Sequence, residues 1–127
     1  MTGKREIVTG VDMPQPLGPY SPVVRAGGLL FVSAQAGIDP ATGRVPEGGI
    51  GAECRQALAN LDRALRAAGS GLDNVVRVTL FYKNLDDLPE INKTFAEVFG
   101  AEPPARSAAI VRLAGGRSIS IDAIATV

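Results

Sequence analysis

The chain has 127 residues, 46% of them apolar, with thirteen basic residues against thirteen acidic ones, so residues 1–127 read as one domain with a single core and a net charge of zero. A balanced charge provides no field to draw the molecule to a polyanion or an anionic membrane surface, which argues against nucleic acid as a partner. The sequence has no histidine, which excludes Ser-His-Asp and Cys-His catalysis, imidazole zinc sites and the usual imidazole base, leaving carboxylates, Arg, Lys, Tyr, Ser and backbone groups for any chemistry.

The first residues, Met1 to Glu6, carry positive charge with no apolar region behind it, and no later stretch approaches the roughly 20 apolar residues that span a bilayer. A soluble, unprocessed protein without a membrane partner is expected. A weak strand signal covers residues 6–9. Residues 23–25 and 29–35 flank Gly27-Gly28, a pair free to take positive φ, and predict a hairpin. Residues 37–51, with Asp39-Pro40, Thr42-Gly43 and Gly48-Gly49, read as a long turn-rich loop, either functional or a mobile surface excursion.

From 52 to 68 the apolar positions Cys54, Ala57, Leu58, Leu61, Ala64, Leu65 and Ala68 recur at three and four, leaving Glu53, Arg55, Gln56, Asp62 and Arg66 for the other face of a helix that Gly69 ends. Cys54 lies on the apolar stripe, where a thiol packs rather than reacts, and a lone cysteine fits a reducing compartment, so the cytoplasm is expected. Residues 75–82, β-branched and aromatic, form a strand. Asp87 and Glu90 have the spacing of a capping box opening a second helix, with Ile91, Phe95, Val98 and Phe99 as its buried stripe and Lys93 on its polar side. Strands at 106–113 and 118–127 flank Gly115-Gly116 and read as a second hairpin. The order is β-β-β-α-β-α-β-β, an α+β arrangement.

Two residues are candidates for chemistry. Arg106 opens a strand of small apolar residues after Pro103-Pro104-Ala105, a semi-enclosed setting in which its planar guanidinium can either pair with a nearby acid or grip a small carboxylate through two parallel hydrogen bonds. Asp122 is the only acid in the last strand and shares a face with Ser118, Ser120 and Ile124; it is either ion-paired or solvated, or it orients a water and shuttles a proton.

Four patterns, in order, resemble the YjgF/RidA family, also described as the L-PSP endoribonuclease family: Pro16-Leu17-Gly18-Pro19-Tyr20-Ser21; Leu30-Phe31-Val32-Ser33-Ala34-Gln35; Ile91-Asn92-Lys93-Thr94-Phe95; and Pro103-Pro104-Ala105-Arg106-Ser107 followed by residues 119–125. The resemblance implies a chorismate-mutase-like fold, a sheet backed by two helices, with three subunits closing a β-barrel as a homotrimer and placing sites between them. It implies hydrolysis of enamines and imines such as 2-aminoacrylate to 2-oxo acids and ammonia, with no metal or organic cofactor. Arg106 then matches the residue that holds the substrate carboxylate, helped by backbone amides near Ala34 and Ala108; Tyr20, Ser33 and Asn92 match the cleft lining; and Asp122 stands where studied deaminases have a glutamate. The shorter arm retracts that carboxylate, and a misplacement on the order of 1 Å can cost about a hundredfold in rate. Ala108 stands where many members have cysteine. Alternatives are a non-catalytic binder or sensor of 2-oxo acids, deamination of a different acid of the aminomuconate kind, and, ranked lower, an endoribonuclease.

Overall fold

Ile119, Ile121, Ala123 and Ala125 alternate with Ser120, Asp122 and Ile124, and a strand with this pattern can be buried on one face only. In the computed structural model, which describes residues 4–127, that strand lies in the middle of the sheet. The strands are β1 (Glu6–Ile7), β2 (Val23–Ala26), β3 (Leu29–Ala36), β4 (Val75–Tyr82), β5 (Ala105–Ile110) and β6 (Ile119–Thr126), and the helices are α1 (Ile50–Ala67) and α2 (Leu88–Phe99). They form a six-stranded sheet in the order β1-β2-β3-β6-β4-β5 with both helices over one face, in the α+β arrangement expected. The buried side chains of β6 meet Leu30 and Val32 of β3, Val78, Leu80 and Tyr82 of β4, the whole apolar stripe of α1, and Ile91 and Phe95 of α2. Val98 and Phe99 are only half-buried at the margin of this core. The expectation about the N-terminus falls partly on residues 1–3, outside the described residues. No helix among the described residues is long and apolar enough to cross a membrane.

The predicted hairpin around Gly27-Gly28 forms, with both glycines at positive φ and β2 antiparallel to β3. The hairpin predicted around Gly115-Gly116 does not. β5 pairs in parallel with β4, and β6 pairs antiparallel with β4 on one side and β3 on the other, so β4 separates the two strands. The cause is α2: a helix between β4 and β5 carries the chain back, so β5 enters parallel to β4 and occupies the edge. The two glycines, at φ 69° and 71°, instead turn the loop that crosses from β5 to β6.

Three local features also differ from the sequence reading. The capping box does not form, because Asp87 is already helical (φ −81°, ψ −14°) at the end of a short 3₁₀ turn over Leu85–Asp87 and makes no side-chain cap. Glu90 faces α1 instead, so close that a Cβ on Gly51 would lie 3.0 Å from its Oε1. The 37–51 loop is shorter than expected, because α1 already begins at Ile50, and it is tied down: Asp39 and Arg44 form a bridge, and the Asn60 side chain donates to the carbonyls of Ala36 and Ile38 at 2.9 and 2.8 Å.

Glu53 is the third. It was assigned to the polar face of α1, but it lies four residues before Ala57 on the core row and is 5% exposed. Its Oε2 accepts the backbone N–H groups of Ser118 (2.6 Å) and Ile119 (3.1 Å), tying the first turn of α1 to the start of β6. Gly37 is the residue that permits this approach, since a Cβ there would overlap the Glu53 main chain. Removing the carboxylate orphans two amides in a dry setting, at about 1–3 kcal/mol for a buried donor left unpaired. Glu53→Ala should therefore lower the unfolding free energy by about 2 kcal/mol or more, and Glu53→Gln, which keeps an acceptor oxygen, by clearly less. Urea unfolding of the three proteins checks this, and equal stability of Glu53→Ala and the parent would contradict it.

Candidate active site

β5 is exposed along its whole length and its outer edge is unpaired. Val111 N–H donates to the Tyr82 carbonyl, so by alternation the amides of Ala109 and Ser107 face β4, whereas those of Ala108 and Arg106 point off the free edge. Arg106 is in register with Val78, which places it on the helix side of the sheet. There its Nη2 donates to Asn92 Oδ1 at 2.8 Å, and its guanidinium carbon lies 5.0 Å from the centre of the Phe95 ring. Arg106 is exposed in the single chain rather than semi-enclosed, and it pairs with no carboxylate among the described residues. A guanidinium oriented by Asn92 and Phe95, beside the outward amide of Ala108, has the donor geometry that a planar carboxylate can accept from.

Tyr20 and Ala34 lie elsewhere, in a cavity of about 690 Å³ between residues 11–22, the 37–51 loop and the edges of β3 and β6. The Tyr20 hydroxyl accepts the Leu17 N–H at 3.2 Å, which fixes the ring over the mouth. Sequence reasoning missed the other polar residues here: Gln15, Gln35, Asn60, Arg63, Arg117 and Ser120. Arg117 could not be placed from periodicity because it sits in the loop misread as a hairpin turn. Ser120 was assigned to the correct face of β6, but a face does not specify which cavity it opens into.

Asp122 and Ser33 line a different cavity, of about 360 Å³, on the face of the sheet away from the helices. A bulge between Val32 and Gln35 separates Ser33 from Ala34, so neighbouring residues serve different cavities. Asp122 Oδ1 accepts the Thr79 N–H at 3.1 Å, and Oδ2 has no hydrogen-bond partner among the described residues. Asp122 has no ion-pair partner among the described residues, and Arg77 beside it donates instead to Ser107 Oγ at 2.6 Å. The Ser33 hydroxyl donates to the Ser21 carbonyl at 2.7 Å.

One chain therefore does not unite the candidate residues. β3 and β5 are three strand spacings apart, roughly 14 Å at about 4.8 Å each, too far for a small acid to touch both Ala34 and Arg106. Arg106 and Asp122 lie on opposite faces of the sheet. Cys54 is buried, and its thiol is pushed up to about 12 by loss of solvation, only partly offset by Arg55 and Arg106, so it stays protonated and unreactive. Lys93 is exposed on α2, as expected for a solvated lysine. No cluster of three or more metal-ligating acids and cysteines occurs among the described residues.

Residues 11–127 match the family model described as endoribonuclease L-PSP. A RutC family protein of Pyrococcus horikoshii is 41% identical over 122 residues, 95% of this chain and 97% of that protein. The 2-iminobutanoate/2-iminopropanoate deaminase of Bos taurus is 35% identical over 122 residues, 95% of this chain and 89% of that one. Among solved structures, a protein of the conserved Rid family from Yersinia pestis superposes with a TM-score of 0.89 at 34% identity, covering 98% of this chain and all (100%) of that one. The match to the family model over residues 11–127, relatives 35% and 41% identical along 95% of the chain, and the shared topology together show that the chain belongs to the endoribonuclease L-PSP, or YjgF/RidA, family.

Proposed function

We propose that the protein hydrolyses reactive 2-imino acids of the 2-aminoacrylate/2-iminopropanoate type to 2-oxo acids and ammonia, as a cytoplasmic homotrimer without metal or organic cofactor. The observation that carries this reading is Arg106, oriented by Asn92 and Phe95 beside the outward Ala108 amide and free of any protein carboxylate among the described residues. The name of the 35%-identical deaminase supplies the reaction class. A second copy of the chain solves the separation of the half-sites: the exposed β5 edge of one subunit brings Arg106 to the Tyr20 and Ala34 cavity of the next.

The imine carbon is electrophilic, so the protein has to hold the carboxylate and aim a water. Water oxygen bonds to that carbon, its proton passes to nitrogen, and the C–N bond breaks to release ammonia and leave the carbonyl. Asp122, which lines the neighbouring cavity across the β3 bulge and whose Oδ2 has no partner among the described residues, is the carboxylate we assign to orient the water and carry the proton, with the same subunit contact bringing that cavity to Arg106 of the next chain. A second reading has its own observation: no carboxylate lines the cavity that holds Tyr20 and Ala34, which suits a non-catalytic binder of 2-oxo acids. Ribonuclease activity is the least favoured, because the chain has no histidine and no net positive charge.

Arg106→Ala should lower kcat/KM for freshly generated 2-iminopropanoate by about 10- to 100-fold, the worth of a charge-assisted pair, while the trimer persists in sedimentation. Arg106→Lys should recover little, since a point charge lacks the fork. Unchanged turnover in Arg106→Ala would remove the clamp.

Asp122 separates the enzyme from the binder. Asp122→Asn should strongly reduce ammonia release per folded trimer while 2-oxobutyrate binding persists, and Asp122→Glu should preserve or raise it. A folded Asp122→Asn protein with parental turnover would take this residue out of the mechanism, and a wild type that binds 2-oxobutyrate without accelerating ammonia release would establish the binder.

A further inference from the structure

The cavity beside Tyr20 carries more positive charge than a monocarboxylic substrate needs. Arg117 and Arg63 both line it, no Asp or Glu does, and neither arginine pairs with a carboxylate among the described residues. The Arg117 Nε is buried without any hydrogen-bond partner. That Nε is tucked against the Gly115 turn, which holds the guanidinium in place at the cavity wall with no protein carboxylate among the described residues to balance its charge.

The placement of Arg117 is fixed by the fold. Gly115 and Gly116, both at positive φ, let the loop turn immediately before it. The next residue, Ser118, is held from two sides, its N–H by Glu53 at 2.6 Å and its carbonyl by the Lys83 N–H at 3.1 Å. The guanidinium therefore projects from an anchored stretch of backbone, while Arg63 is presented by the regular helix α1. The cavity, at about 690 Å³, is of the size that takes larger metabolites, and a three-carbon imino acid fills only a minor part of it.

We infer that the protein selects 2-imino acids bearing a second carboxylate, with Arg117 as the residue that recognises it and Arg63 assisting from the rim. This rests on the imine-hydrolase reading above and specifies its substrate class. The first carboxylate binds at Arg106, the second reaches Arg117, and hydrolysis proceeds by the same balanced step, adding water across C=N and releasing ammonia to leave a 2-oxo dicarboxylate. A guanidinium with no counter-charge of its own discriminates by gaining a charge-assisted pair only when the second carboxylate is present.

The test compares 2-iminosuccinate with 2-iminopropanoate, each generated in place by an amino-acid oxidase, and in parallel the calorimetric affinities of 2-oxoglutarate and 2-oxobutyrate. The wild type should favour the dicarboxylate of each pair by about tenfold or more, as one charge-assisted bond provides. In Arg117→Gln that ratio should collapse toward one, in Arg117→Lys it should survive in part, and in Arg63→Gln it should fall less. Circular dichroism establishes that each variant is folded, and the lysine variant decides the matter if the glutamine variant is not. Equal handling of both acids by the wild type, or a preference untouched in both Arg117 variants, overturns the inference. If the wild type hydrolyses neither imine, the enzymatic reading fails and the calorimetric ratio alone decides whether Arg117 recognises a second carboxylate.

Discussion

The central position of β6 governs where everything else can lie. It is bonded to β3 on one side and β4 on the other, and four of its side chains, Ile119, Ile121, Ala123 and Ala125, are buried beneath α1. A strand so committed cannot also pair with β5, which is left as an exposed edge in parallel with β4. From that one constraint follow the outward amides at Arg106 and Ala108, the guanidinium resting on Asn92 and Phe95, and the distance between this edge and the cavity at β3. The start of β6 is fixed by Glu53, whose buried carboxylate takes two of its amides in place of a backbone partner.

The geometry of the candidate site is a consequence of that sheet order. In the proposed reading, Arg106 on one edge and the cavity on the far side of β6 are each incomplete for a small acid, and a repeated copy is the economical way to join them. Division of the site also separates roles. The Arg106 edge is held by contacts between α2 and β5, whereas the cavity is walled by loops anchored through Asn60 and Glu53. In the proposed reading, changes in the loops alter which acid fits without disturbing Arg106.

Most of the fold was legible because its signals were periodic. The α1 stripe from Cys54 to Ala68, the alternation of β6 and the Gly27-Gly28 turn all express local geometry that one segment specifies alone. The misread features were relational. Gly115-Gly116 has hairpin chemistry, but partner choice was settled by the crossover through α2. Asp87 and Glu90 have capping-box spacing, but a preceding 3₁₀ turn had already satisfied that end of the helix. Glu53 is polar yet sits on the core row, and only the amides of a strand sixty-five residues away explain it. The candidate site shows the same division: Arg106, singled out by its place at the start of a strand, and Asn92, named from the family resemblance, do meet, while the places of Arg117 and Ser120 at a cavity emerged only when the cavity could be seen.

The central claim is that one subunit's Arg106 serves another subunit's cavity, and subunit mixing tests it most directly. Arg106→Ala and Tyr20→Ala chains, each weak alone, are unfolded together at equal amounts and refolded, and ammonia release from 2-iminopropanoate is measured. Random assembly leaves both halves intact in about a quarter of shared sites, so the mixture should regain about that fraction of parental activity. A mixture no more active than its two components measured separately would contradict the account.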